Sequence, residues 1–224
     1  TGLGFTASSE EPGGVEFSAT GAQLADALLR LRTANRVAVR LATFRAQSFG
    51  ELERRAAAIP WERVLVPGRD VHFRVTSKKS RLYHQDAIAE RLERAVRAVI
   101  ADVPAMRAPS VAEAAEADIT RVPPVQRIIV RVMRDEFTVS ADASGALLHL
   151  RGWRQAVAKA PLRETLAATL LLASGWDRTS PLYDPFCGSG TIVIEAALLA
   201  RRMAPGRQRR FAMEAWPAAV AAMD

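Results

Sequence analysis

With 224 residues, 49% of them hydrophobic and 25% charged, the chain is long enough for one or two folded domains and too apolar to be disordered throughout. No apolar run approaches the roughly 20 residues of a bilayer-spanning helix, so no membrane partner is expected, and the single cysteine, Cys187, excludes an intramolecular disulfide and a Cys-based zinc site. The net charge of +7 suits a polyanionic partner such as a nucleic acid, although an excess of 28 arginines over 3 lysines also fits a base-composition bias of the genome.

From the amino end, Val15 to Ala19 reads as a short strand after Gly13-Gly14, and Ala22 to Thr33 as a helix with Leu24, Leu28 and Leu31 on one stripe. Arg36 to Gln47 alternates polar residues with Val37, Val39, Leu41 and, after a slip, Phe44, the pattern of a half-buried strand. Ser48 with Glu51 spells a capping box for a helix that must stop before Pro60. Val71, Phe73 and Val75 mark another strand, followed by a polar loop at Ser77 to Ser80 and a helix over Tyr83 to Ile100 whose Arg91, Arg94 and Arg97 are expected to face solvent.

Pro104, Pro109, Pro123 and Pro124 make residues 101–124 a connecting stretch. Val125 to Val132, Phe137 to Ala141 and Ala146 to Leu150 then predict three antiparallel strands, the last two joined by a turn at Ala143-Ser144-Gly145. The texture changes near Pro161: an alanine- and leucine-rich helix over Leu162 to Ser174 stops at Gly175, a short strand is expected at Pro181 to Asp184, and a glycine turn and an apolar helix follow. The fold class is thus α+β over the first 150 residues, then the start of an α/β, Rossmann-like sheet.

The chemistry concentrates in Asp184-Pro185-Phe186-Cys187-Gly188-Ser189-Gly190-Thr191. Glycines at 188 and 190 let backbone amides approach a small molecule, Asp184 offers a carboxylate to an ammonium or sulfonium group, and the helix start beyond Gly190 favours a carboxylate. Related spellings fit less well. A P-loop needs lysine before Thr191, a dinucleotide fingerprint needs a third glycine where Val193 stands, and a hydrolase elbow needs Gly-x-Ser-x-Gly around Ser189. Cys187 reads as a packing or loop residue, and three histidines without metal-ligand spacing predict no metal site. Arg201, Arg202, Arg207, Arg209 and Arg210 flank Pro205-Gly206 and read as charged surface.

Arg151-Gly152-Trp153-Arg154, Ala160-Pro161-Leu162-Arg163-Glu164-Thr165-Leu166-Ala167-Ala168 and the Asp184 to Ala197 run together resemble the THUMP-containing class I methyltransferases. Within them the resemblance is strongest to the bacterial 23S ribosomal RNA guanine-N2 methyltransferase group, often labelled N6-adenine-specific DNA methylases. It extends to Trp61-Glu62, Pro67-Gly68, Ser77 to His84, Ala204-Pro205-Gly206 and Phe211 to Trp216.

The resemblance implies a ferredoxin-like segment over 1–67, a THUMP core over 68–155 and an incomplete methyltransferase domain over 156–224, the chain being cut at both ends. It implies S-adenosylmethionine as cofactor, held by Asp184, Phe186, Cys187, Gly188, Ser189, Gly190 and Thr191, with Thr165 in the preceding helix closing over its methionine end. RNA would meet Lys78, Lys79, Arg81 and His84, four side chains on one loop that can reach successive phosphates. The catalytic Asn/Asp-Pro-Pro-aromatic tetrapeptide of that family is absent from these 224 residues, so the chain is not expected to methylate unaided. The alternatives are an RNA-binding module without catalysis and an adenine-N6 DNA methyltransferase.

Overall fold

The computed structural model describes residues 4–11, 13–100, 118–153 and 162–217. The expected connecting stretch at 101–124 lies outside this range up to residue 117, as do Ala160 and Pro161. Two compact units are present, one of residues 1–35 with 147–209 and one of residues 36–146 with 210–224.

The larger unit is a four-stranded mixed sheet. β3 (Ala38–Arg45), β4 (Asp70–Lys78), β5 (Val125–Met133) and β6 (Glu136–Asp142) lie in the order β3-β6-β5-β4. β5 pairs antiparallel with β6 but parallel with β4, because the long crossover between β4 and β5 returns the chain in the same direction. The break in alternation around Leu41 is a register shift between Arg40 and Ala42, a bulge that turns Phe44 onto the core side, where its ring stacks on Phe137 at 5.3 Å.

One face of the sheet carries Val71, Phe73, Val75, Ile128, Val130, Val132, Phe137 and Val139, all buried. The helices α2 (Phe49–Ala57) and α3 (Gln85–Val99) pack against each other, and α3 packs against β4. Ser48 caps α2 by accepting from the Glu51 amide, but the Glu51 carboxylate turns to the amide of Gln47 at 2.8 Å, so the box closes one residue early. Arg91, expected in solvent, instead donates to Glu53 at 2.8 Å and lies 5.1 Å above the Phe49 ring, clamping α3 to α2.

Ala146 to Leu150 is not a strand. Its backbone groups are taken elsewhere: the Leu148 amide donates to the Asn35 carbonyl, and the carbonyls of Leu147, Leu148 and Leu150 accept from the guanidinium groups of Arg209 and Arg151. The Ser144 hydroxyl, meanwhile, both accepts from the amide of Val37 and donates to its carbonyl.

The smaller unit contains a hairpin of β1 (Ala7–Glu11) and β2 (Gly14–Phe17), followed by α1 (Gly21–Arg30), α4 (Glu164–Ala173) and α5 (Thr191–Ala200). β1 is not legible in the sequence because its Ser-Ser-Glu-Glu run lacks apolar alternation. α4 and α5 pack together through Leu171, Ala196 and Leu199. Pro181 to Asp184 forms no strand, because no sheet partner stands beside it among the described residues.

Ile128 has no exposed surface and sits on β5, between β4 and β6. Ile128→Ala should destabilise the protein by about 2 to 5 kcal/mol through the cavity it leaves, read by urea denaturation, and a loss below about 1 kcal/mol would contradict this placement.

Candidate functional site

The glycine turn is built by its backbone. Gly188 and Gly190 both have positive φ, +51° and +77°, and the Gly190 amide closes the turn onto the Cys187 carbonyl at 2.7 Å. Gly190 is the left-handed N-cap of α5 and brings no side chain to that position, so the first-turn amides have no side-chain cap. A Cβ on Gly188 would meet nothing nearer than the Phe186 carbonyl at 3.9 Å, and one on Gly190 only Val193 and Ile194 of its own helix, from 3.5 Å. Replacement of Gly190 by a residue with a side chain would therefore strain the backbone more than it fills a cradle.

Asp184 uses one carboxylate oxygen to accept from the Phe186 amide at 3.0 Å, while its Oδ2 is buried without a hydrogen-bond partner. An unfilled acceptor beside open glycines and an uncapped helix start fits a small zwitterionic ligand that brings its own donors and a carboxylate. Phe186, Cys187, Gly188 and Ser189 are exposed on this turn, and Ser189 lies 3.3 Å from the buried Thr191 hydroxyl. Thr165 is buried on α4 and donates to Asn35 at 2.9 Å.

Beneath the turn lies a cluster that no local sequence pattern announces. Glu195, on the second turn of α5, has no exposed side-chain surface and faces Arg151 Nε at 3.3 Å and Arg32 Nη1 at 3.7 Å. Burial pushes the Glu195 carboxyl up, and the two guanidinium groups oppose that shift. Arg32 also donates to the Met203 carbonyl, and Arg151 to the carbonyls of Leu148 and Arg32. The one available signal is a lone carboxylate in the apolar run Ile192 to Leu199, which demands a buried counter-charge. Arg209, expected on the surface, is buried too, and its pKa is lowered to about 10, chiefly by burial.

The second candidate site lies in the larger unit. Lys78 ends β4, and Lys79, Arg81 and His84 follow it, all four exposed. The loop is held: Asp135 accepts from the Arg81 amide at 2.7 Å and from Gln47, and Ser80 donates to the Lys78 carbonyl. The Arg81 amide hydrogen bond, first among several donors, keeps the Asp135 carboxyl below its ordinary range. That anchor is therefore intact above the ordinary aspartate pKa and is lost only as the pH falls through the depressed value. Tyr83, not singled out from sequence, is exposed beside His84, their rings 4.1 Å apart. Among the described residues no cluster of His, Cys, Asp and Glu could hold a metal ion.

Comparison with known families bears directly on the glycine turn. Residues 151–223 match a family model described as the RMKL-like methyltransferase domain, and residues 1–38 one described as the RlmL ferredoxin-like domain. The chain is thus similar to an RlmL ferredoxin-like domain over residues 1–38 and to an RMKL-like methyltransferase domain over residues 151–223. The chain is 34% identical over 215 residues to the ribosomal RNA large subunit methyltransferase K/L of Vibrio cholerae, covering 94% of this chain and 28% of that enzyme.

Solved structures are similar as well. A Listeria monocytogenes protein assigned as an N6-adenine-specific DNA methylase has 36% identity and a TM-score of 0.80, over 96% of this chain and 54% of that one. SMU.472, assigned as a methyltransferase and solved with SAH, has 31% identity and a TM-score of 0.79, over 96% and 55%. The chain thus spans about half of these two structures and less of the Vibrio enzyme. The two matched segments fall mainly in the smaller unit, which is composed of residues 1–35 and 147–209.

Glu195→Ala would strand Arg32 and Arg151 without a counter-charge and should cost about 3 to 5 kcal/mol in denaturant unfolding, with Glu195→Gln costing less. Equal stability of Glu195→Ala and the parent would contradict the cluster.

Proposed function

We propose that this chain is the RNA-presenting and cofactor-binding part of an S-adenosylmethionine-dependent RNA methyltransferase, with guanine N2 of 23S ribosomal RNA as the target. The observation that carries the cofactor reading is the unfilled, buried Oδ2 of Asp184 beside the positive-φ glycines, inside the segment that matches a methyltransferase model. When bound, the cofactor supplies a methyl group activated by a sulfonium centre. Asp184 would accept from its donors, the first-turn amides of α5 would face its carboxylate, and Phe186 would lie along an apolar part of it. Lys78, Lys79, Arg81 and His84 would hold RNA phosphates.

The acceptor amine is positioned, in this reading, by an Asn/Asp-Pro-Pro-aromatic tetrapeptide that the 224 residues do not contain, so these residues alone should transfer no methyl group. The name of the Listeria relative supports a second reading, adenine-N6 methylation of DNA. A preference for duplex DNA over RNA in binding would favour it.

Isothermal titration with SAH tests the cofactor site. The protein should bind SAH, and Asp184→Asn should weaken binding by about tenfold or more, the size of a hydrogen bond to a charged group. Unchanged affinity would overturn the assignment.

A further inference from the structure

The face of the four-stranded sheet opposite the buried apolar residues has a composition of its own. By strand register this face includes His72, Arg74 and Thr76 from β4, Arg127 and Arg131 from β5, and Thr138 from β6. Arg131 stands opposite Thr76 on one side and Thr138 on the other, and Arg74 stands opposite Ile129. Neighbouring strands are about 4.8 Å apart and alternate residues about 6.6 Å apart, so the two guanidinium groups lie within one patch, with the hydroxyl residues Thr76 and Thr138 flanking Arg131.

The cations on this face are not equivalent. Asp142, buried at one end, pairs with Arg36 and, at 3.7 Å, with Arg127. Arg74 and Arg131 are exposed and make no ion pair among the described residues. The other carboxylates on the face, Asp70 and Glu136, are at its corners, opposite Val125 and opposite Met133 and Arg45. Burial, reinforced by Arg127 and Arg74, lowers the His72 pKa, so the imidazole is neutral near pH 7 and the arginines supply the charge. At its Lys78 end the face runs into the basic loop of Lys79 and Arg81.

No Phe, Tyr or Trp occupies any position of this face. A surface that captures single-stranded RNA uses aromatic rings as stacking platforms, whereas one that follows a duplex needs cations for phosphates and hydroxyl or amide partners for the 2′-hydroxyls.

We infer that the open face of the sheet around Arg74 and Arg131 is a docking surface for the sugar-phosphate backbone of double-helical RNA, continuous with the Lys78 to Arg81 loop. The inference rests on the RNA reading above and deepens it, by naming a second surface and the form of RNA it takes.

Fluorescence anisotropy with the full 224-residue chain tests it, using a labelled RNA hairpin and a single strand of equal length over a range of salt concentrations. The hairpin should bind more tightly. Arg74→Ala with Arg131→Ala should weaken hairpin binding at least tenfold and reduce the slope of log affinity against log salt by about 2, one for each phosphate deprived of its cation. Arg74→Lys with Arg131→Lys, which keeps the charge, should retain the parental slope, and thermal melting of both variants separates impaired binding from impaired folding. Hairpin binding by the parent that the alanine pair leaves unchanged overturns this surface and leaves RNA binding standing. Tighter binding of the single strand overturns the duplex assignment, and no RNA binding by the parent overturns both readings.

Discussion

A carboxylate with no exposed surface cannot stay charged without partners, and Glu195 finds them in Arg151 and Arg32, residues more than 40 and 160 positions away along the chain. Removing such a group from water costs several kcal/mol, which only close counter-charges and additional hydrogen bonds offset. The two arginines are themselves held, Arg32 by the Met203 carbonyl and Arg151 by the carbonyls of Leu148 and Arg32. Three stretches of chain, before residue 36, around residue 150 and beyond residue 190, are thereby tied at one point. The helix that carries Glu195 begins at the glycine turn, so the tie also fixes the start of α5, where the first-turn amides are uncapped.

The same economy of charge explains why a net charge of +7 says little by itself. Arginine does three different jobs in this fold. Arg151 and Arg209 are buried and Arg32 half-buried, and all three donate to backbone carbonyls, Arg91 joins two helices through Glu53 and the Phe49 ring, and Arg74 and Arg131 are exposed without a carboxylate partner among the described residues. Only the last kind contributes to attraction of a polyanion, because a paired or buried cation releases no counterion. Arginine suits the buried role in particular, since its fork can satisfy two or three carbonyls at once and its charge survives burial.

Where local chemistry decides the outcome, the sequence was legible. The alternation of Val71, Phe73 and Val75, the Ser48 cap, the stop at Gly175 and the helix after Gly190 all appear as expected, because each depends on residues within one turn or one strand. The slip before Phe44 was visible and is a bulge. What was not legible depends on partners far along the chain. Ala146 to Leu150 has the composition of a strand, yet distant guanidinium groups take its carbonyls. The Pro181 to Asp184 segment has no neighbouring strand with which to pair among the described residues. At the site, the glycine turn could be read from spacing, whereas the Glu195 cluster and the anchoring of the Arg81 loop by Asp135 could be seen only once the chain was folded.

The turn from Asp184 to Thr191 is the proposed seat of the cofactor. Hydrogen–deuterium exchange of the protein with and without SAH tests it most directly, because the first-turn amides of α5 have no side-chain cap in the free state. Slowed exchange confined largely to residues 184–194 is expected when SAH is added at saturation. Exchange that is unchanged there, or protection that appears elsewhere instead, would contradict it.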